Sequence, residues 1–86
     1  GKYTIGAANQ ALLLGDDATA ARLFAGALAA NPGSADAQAG LGVIAYRRGD
    51  LQTARGDLAR ARALDERSGM VRALTALLGT APDGRR

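Results

Sequence analysis

The sequence predicts an all-α fold of stacked helical hairpins, and three observations lead to that prediction. First, residues 1–34 and 35–68 align with each other without a gap, so the chain has an internal period of 34 residues. Second, alanine and leucine, both strong helix formers, supply most of an apolar content of 48%. Third, turn residues interrupt the apolar stretches at the same place in each period, at Gly15-Asp16 and at Gly49-Asp50.

The repeat is more than a consequence of the alanine-rich composition. Ten positions are identical in the two copies, whereas about four or five matches would be expected by chance from this composition. A period of this length is typical of helical repeat proteins, whose function lies on the surface that the stacked units form. The identical pairs are Gly6/Gly40, Ala11/Ala45, Gly15/Gly49, Asp16/Asp50, Thr19/Thr53, Ala20/Ala54, Ala25/Ala59, Ala27/Ala61, Ala29/Ala63 and Ser34/Ser68.

The first unit is expected to hold two helices, over residues 3–14 and 17–30. Between them, Gly15 and Asp16 are typical of a helix stop followed by a turn. Pro32 ends the second helix because proline lacks the amide donor that a continuing helix needs.

The second unit repeats this arrangement, with helices expected over residues 35–48 and 51–64. Ser34 is a good N-cap for the first of these helices. Asp36 falls in its first turn, where the helix dipole favours a negative charge.

A fifth helix is expected over residues 69–78, in the place of a third unit's first helix. Residues 80–86 lose the pattern and are expected to form a flexible polar tail. The sequence therefore predicts one repeat domain over residues 1–79, made of units 1–34 and 35–68 and a half unit 69–79.

Small and large residues alternate on one face of the second helix in each unit. Together with the 34-residue period and the Gly-Asp turns, this pattern resembles the tetratricopeptide repeat. The resemblance implies a right-handed superhelical stack of antiparallel helix-turn-helix hairpins, here two and a half units with about five helices. The residues that carry the resemblance are Ala20, Phe24, Ala27 and Asn31-Pro32 in the first unit, and Leu41-Gly42, Tyr46, Ala54, Leu58, Ala61, Leu64 and Asp65 in the second.

The chain departs from the family's pattern at several positions. In the first unit, Ala7-Ala8 replaces a Leu-Gly step, and Thr4 stands where the family often has a large aromatic residue. In the second unit, Arg62 replaces a leucine and Glu66 replaces the proline that ends a unit. We therefore expect the fifth helix to pack more loosely on the second hairpin. The period is also close to that of the pentatricopeptide repeat, a helical repeat that binds RNA one base per repeat.

The composition argues against catalysis and against a bound metal or cofactor. The chain has no cysteine and no histidine, which excludes thiolate zinc sites, cysteine nucleophiles and the most common general base. Asp16 and Asp50 are interpreted as helix caps rather than as an acid-base pair, since each follows a glycine at a turn. We expect neither an enzyme nor a cofactor-binding protein.

Net charge and hydropathy do not identify a partner. The net charge is +3, and arginines are interspersed with acids rather than clustered on one face, so nucleic-acid binding is not favoured. No apolar stretch is long enough to cross a bilayer, and no signal peptide is visible. This leaves the compartment, cytoplasm or periplasm, open.

The resemblance implies a concave surface formed by the first helix of each unit, where a partner would bind. Tyr46 and Arg47 are its amphipathic pair, and such side chains are frequent anchors at protein interfaces. The apolar members also have an interpretation as core, in which they only pack against neighbouring helices. The expected groove residues are Ile5, Asn9, Leu12, Ala39, Val43, Tyr46, Arg47, Met70, Ala73 and Leu77, and Lys2, Leu13 and Asp36 belong to the same row.

The sequence suggests two functions of different classes. The first is a protein-protein interaction scaffold that binds a peptide or helix of a partner in the concave groove. Residue usage rich in alanine, arginine and glycine suggests, by analogy, part of a larger bacterial protein of an envelope, pilus, secretion or polysaccharide-export assembly. The second is a structural segment of a longer solenoid or a self-association module, because fewer than three repeats are below the usual stable length. RNA binding is a third, less favoured function.

Overall fold

The computed structural model describes residues 4–79, and these residues form five α-helices. The described part contains no β-strand, so the all-α prediction is confirmed. None of its helices combines the length and apolarity that a membrane span requires. The tail expected over residues 80–86 lies outside the described residues. The helices are α1 (Ile5–Leu13), α2 (Asp17–Ala30), α3 (Ala35–Arg47), α4 (Leu51–Asp65) and α5 (Gly69–Gly79).

Two aspartates start the second and fourth helices in the same way. Asp16 Oδ1 accepts a hydrogen bond from the backbone N–H of Thr19 at 3.2 Å, and Asp50 Oδ1 accepts one from Thr53 at 3.2 Å. Hydrogen bonds from the side chain and the backbone of these threonines favour the charged carboxylate and lower the pKa of both aspartates. The capping role predicted for Asp16 and Asp50 is confirmed.

Hydroxyl side chains start the other three helices. Ser34 Oγ accepts a hydrogen bond from Ala37 N at 3.1 Å, as predicted, and Ser68 Oγ accepts one from Val71 N at 3.2 Å. Thr4 caps α1, since its Oγ1 accepts from the N–H three residues later at 3.1 Å. The backbone of Thr4 is extended, so α1 begins at Ile5 rather than at residue 3.

The turns between helices also recur after 34 residues. Gly15 and Gly49 have φ angles of 80° and 84°, a left-handed conformation that glycine adopts at little steric cost. The N–H of Asp16 donates to the carbonyl of Ala11 at 2.9 Å, and that of Asp50 donates to Ala45 at 2.9 Å. Equivalent residues of the two copies thus have equivalent local structures.

Each helix packs closely against the next one in the chain, and α3 also packs against α5. Connections of three or four residues make consecutive helices antiparallel neighbours. The core has two clusters of buried side chains, one around Phe24 and one around Leu74. Leu12 and Met70 are partly buried and contact both clusters. Helix α3 contributes to both clusters, which makes it the centre of the fold.

The fifth helix buries one face against the second hairpin. Its side chains Val71 and Leu74 are among the largest fully buried ones in the described part. Gly42 makes room for Leu74, since a Cβ at position 42 would lie 2.5 Å from Leu74 Cδ2. Arg62, which stands where the first unit has Leu28, donates a hydrogen bond to Thr75 Oγ1 at 3.3 Å and so links α4 to α5. One face of α5 is therefore part of the core, although an open groove remains between α4 and α5.

Candidate partner-binding groove

The α1–α3–α5 groove is an open, mostly apolar cavity of about 600 Å³. Its walls come from the first, third and fifth helices, which are the first helices of the three predicted units. Apolar and small side chains form most of the lining, with one amide and one guanidinium. The lining residues are Asn9, Leu12, Leu13, Val43, Arg47, Met70, Ala73 and Leu77.

The groove exists because α1 is set apart from α3 and α5. Among the described helices, α3 and α5 are in close contact with each other, whereas α1 packs closely against α2. Leu12 and Met70 close the space between them, since both contact the two core clusters. The lining of the groove is therefore continuous with the hydrophobic core.

Arg47 lies in the groove lining and makes two polar contacts with other helices. Its Nη1 donates a hydrogen bond to the carbonyl of Leu12 at 3.3 Å and lies 3.3 Å from Asp17 Oδ1. The Leu12 carbonyl is in the last turn of α1, where the helix dipole favours a positive charge. Asp17 Oδ1 is buried and has no hydrogen bond within the described residues, so the charge of Arg47 is its compensation. One side chain thus joins α1, α2 and α3.

The groove lining contains seven of the ten predicted residues and lacks three. Ile5 is partly buried against the Phe24 cluster. Ala39 has no exposed surface, and Tyr46 is partly buried against the Leu74 cluster. For Ala39 and Tyr46 the reason is that α2, α4 and α5 enclose α3 and leave little of its surface free. Of the expected pair Tyr46 and Arg47, only Arg47 belongs to the groove lining.

Two leucines at the end of α1 are unusually exposed. Leu13 and Leu14 expose 84% and 81% of their surface, and Leu13 lies on the rim of the groove. Adjacent exposed leucines beside an apolar cavity extend the apolar surface outside it. Contiguous apolar patches of this kind mark interaction sites more often than single exposed residues do.

A buried carboxylate between α3 and α4 was not singled out by sequence reasoning. Asp57 Oδ1 accepts hydrogen bonds from Gln38 Nε2 at 3.0 Å and from Arg60 Nη2 at 3.1 Å. Burial raises the pKa of Asp57, although Arg60 and Gln38 oppose this by stabilising the charged form. The available signal was its place on α4, since Asp57 lies beside Leu58 and three residues after Ala54 on the face that packs inward.

A second polar contact, between Ser68 and Asp36, links the two helix starts of α3 and α5. Ser68 Oγ donates a hydrogen bond to Asp36 Oδ1 while it accepts one from Val71 N. Both this contact and the Asp57 cluster lie away from the groove lining, so we assign them a structural role. Within residues 4–79 no three potential metal-ligating side chains come together.

Comparison with known proteins adds no relative to this picture, because no family model, no curated protein and no solved structure matches the chain.

Proposed function

We propose that this chain is a tetratricopeptide-like helical repeat that binds an apolar peptide or helix of a partner protein in the α1–α3–α5 groove. The observation that carries the proposal is the continuous apolar lining supplied by three helices that hold equivalent places in the repeat. The family assignment is supported by caps and turns that recur after 34 residues. The right-handed superhelix is part of the same proposal.

The lining indicates which ligand would fit. Leucine, valine and methionine side chains gain about 25 cal/mol for each Å² of apolar surface that a ligand covers. Met70 lies between the two core clusters, and methionine adapts its shape to different ligands. Asn9 is partly exposed in the lining and offers one amide for a ligand's backbone. A segment with two or three leucine-like side chains and little charge matches this surface.

Arg47 acts in this proposal as a positioning residue. Its guanidinium is already engaged by Asp17 and by the Leu12 carbonyl, so it holds α1 at a fixed distance from α3. A ligand would benefit from a groove that is formed before binding, since less ordering is then needed on association.

A test uses the 86-residue chain immobilised for selection of displayed random peptides. Ala73→Glu places a charge in the groove, and Ala63→Glu makes the same change at an exposed position of α4 that lines no groove. Selected peptides should contain apolar anchors, lose at least about tenfold in affinity for Ala73→Glu and keep their affinity for Ala63→Glu. Peptides that bind both variants equally, or a selection without enrichment, would refute the proposal.

The exposed leucines support a second candidate function, a self-association module or a segment of a longer solenoid. Leu13 and Leu14 would then be covered by another copy or by a neighbouring unit. Sedimentation equilibrium of the chain and of Leu13→Ser/Leu14→Ser separates the two: a dimer that dissociates in the double variant favours self-association. By analogy we place either function in a larger bacterial protein of an envelope, pilus, secretion or polysaccharide-export assembly.

A further inference from the structure

A second groove lies between α4 and α5, outside the surface proposed above. Two adjoining cavities of about 460 and 520 Å³ share Arg62 and Thr75 and together form this α4–α5 groove. Its floor is apolar, because the buried side chains Leu58, Val71 and Leu78 line it. The inference drawn from it does not depend on the function of the α1–α3–α5 groove.

The internal repeat shows what normally occupies this place. Position 8 of the first unit corresponds to positions 42 and 76, and position 11 corresponds to positions 45 and 79. All six residues are alanine or glycine: Ala8, Ala11, Gly42, Ala45, Ala76 and Gly79.

In the first two units a second helix covers the small pair. Ala8 and Ala11 are buried in the cluster that contains Phe24 of α2. Gly42 faces α4, since a Cβ there would lie 3.0 Å from Asp57 Cβ and 3.5 Å from the Ala54 carbonyl oxygen. Ala76 and Gly79, by contrast, are exposed and line the α4–α5 groove. The third unit thus presents a helix-binding face that no described helix covers.

The charge of the groove indicates the chemistry of a helix that would cover this face. Four arginines line it, at positions 55, 62, 67 and 72, against one acid, Glu66. Arg62 donates to Thr75, whereas the guanidinium groups of the other three have no ion pair within residues 4–79. An occupant with acidic side chains on both sides of an apolar stripe would pair with these arginines and cover the floor.

We propose that the α4–α5 groove binds an acidic amphipathic helix of a partner protein. Residues 80–86 contain two arginines and one aspartate, so their charge does not match a groove lined by arginines. The same groove of a second copy would bring arginines against arginines. Single-stranded RNA fits less well, because the groove lining has no aromatic side chain on which bases could stack.

The probe for this proposal is a synthetic helical peptide of 15 residues, the length of α4. It keeps the small-large-small stripe of Ala54, Leu58 and Ala61 and carries glutamates on both flanks of that stripe. One control peptide has the same composition in scrambled order, and a second has lysine in place of glutamate. Fluorescence anisotropy with the full 86-residue chain measures the affinity of each peptide at low and at physiological salt.

Two matched double variants test the location. Arg55→Glu/Arg72→Glu reverses two groove charges, and Arg22→Glu/Arg48→Glu reverses two exposed charges outside the groove. We expect the acidic peptide to bind saturably, to lose at least about tenfold in affinity for the groove variant and less than about twofold for the control. Ala76→Leu should also weaken binding, because the larger side chain fills the groove. Circular dichroism checks the folding of each variant, and the charge pair decides the matter if Ala76→Leu does not fold.

Three results would overturn the proposal. Equal binding of the scrambled peptide would show that charge alone is recognised. Equal affinity of the two double variants would place the peptide elsewhere on the chain. Tighter binding of a mixed-sequence single-stranded RNA, lost in Arg55→Glu/Arg72→Glu, would assign the groove to nucleic acid instead.

Discussion

The ring of Phe24 in α2 packs directly against the backbone of Gly40 in α3, where an added Cβ would overlap three atoms of the ring. One period later the corresponding residues are Leu58 and Leu74, which lie in the same buried cluster. A large residue facing glycine in one unit is thus replaced by two leucines in the next. The two interfaces fill similar space with different pairs, which is how close packing tolerates divergence between repeats.

Gly40→Ala should destabilise the protein, while the equivalent change Gly6→Ala should not. Overpacking a core typically costs about 1–3 kcal/mol, and the better helix propensity of alanine offsets about 1 kcal/mol of this. Gly6 has open space at the corresponding point, so only the propensity gain applies there. Urea denaturation of both variants measures the difference in the free energy of unfolding. Similar changes in the two variants would contradict the proposed packing of Phe24 on Gly40.

Phe24→Leu should partly rescue Gly40→Ala. The smaller side chain leaves room for the new Cβ, so the double variant should lose less stability than the sum of the two single variants. Strictly additive losses would mean that the Phe24 ring is not the obstacle.

Arg47→Met should weaken the attachment of α1 to the rest of the fold, and Arg48→Met should not. Arg47 is paired with Asp17 and the Leu12 carbonyl, whereas the neighbouring Arg48 side chain is exposed. Because the side chains of Arg47 and Asp17 are 38% and 28% exposed, solvent screens the pair, and a double-mutant cycle with Asp17→Asn should give a coupling of about 0.5 kcal/mol. The coupling should fall in high salt. If the cycle shows no coupling at low salt, Arg47 does not hold α1 in position.

Asp57 should make a contribution to stability that grows as the pH falls. Burial raises its pKa in the folded protein, so the folded state binds a proton more readily than the unfolded state does. Ionisation therefore opposes folding above the raised pKa, and this cost disappears as the pH falls from neutral towards the ordinary aspartate value of 3.8. Asp57→Asn removes the titration, so wild type should gain stability relative to this variant over that range. The gain is at most about 1.4 kcal/mol per pH unit for a single group.

Asp16 and Asp50 act in the opposite direction in the same experiment. Their lowered pKa values mean that their stabilising contribution is present above the ordinary value and is lost as the pH falls through the lowered one. Both groups are unchanged in Asp57→Asn, so the difference between the two proteins cancels their effect. A difference that stays constant from neutral pH to about 4 would show that the pKa of Asp57 is not raised.

Leu74→Ala should have a large effect on stability, because α5 belongs to the core. Truncation of a fully buried leucine costs about 2–5 kcal/mol, and Leu74 has no exposed surface. Leu13→Ala, at an exposed position, is the matched control and should change the free energy of unfolding by less than about 0.5 kcal/mol. Hydrogen exchange of α5 amides would detect the alternative, in which α5 frays independently and Leu74→Ala leaves the rest of the protein unaffected.

The sequence by itself determined the local structure of this protein. Helices, caps and turns depend on nearby residues, so Gly15, Asp16 and Ser34 could be assigned their roles from type and spacing alone. The start of α1 differs from the predicted residue 3 because Thr4 is extended and caps the helix. Its hydroxyl was the available signal.

Only the tertiary structure decided which surfaces are free. Whether Ala39 or Ala73 faces solvent depends on how α2, α4 and α5 surround α3, and helical periodicity does not distinguish two apolar faces of one helix. The burial of Asp57 and the pairing of Arg47 with Asp17 are contacts between residues far apart in sequence. Such contacts depend on the relative placement of whole helices, which is set by the packing of side chains such as Phe24 and Leu74.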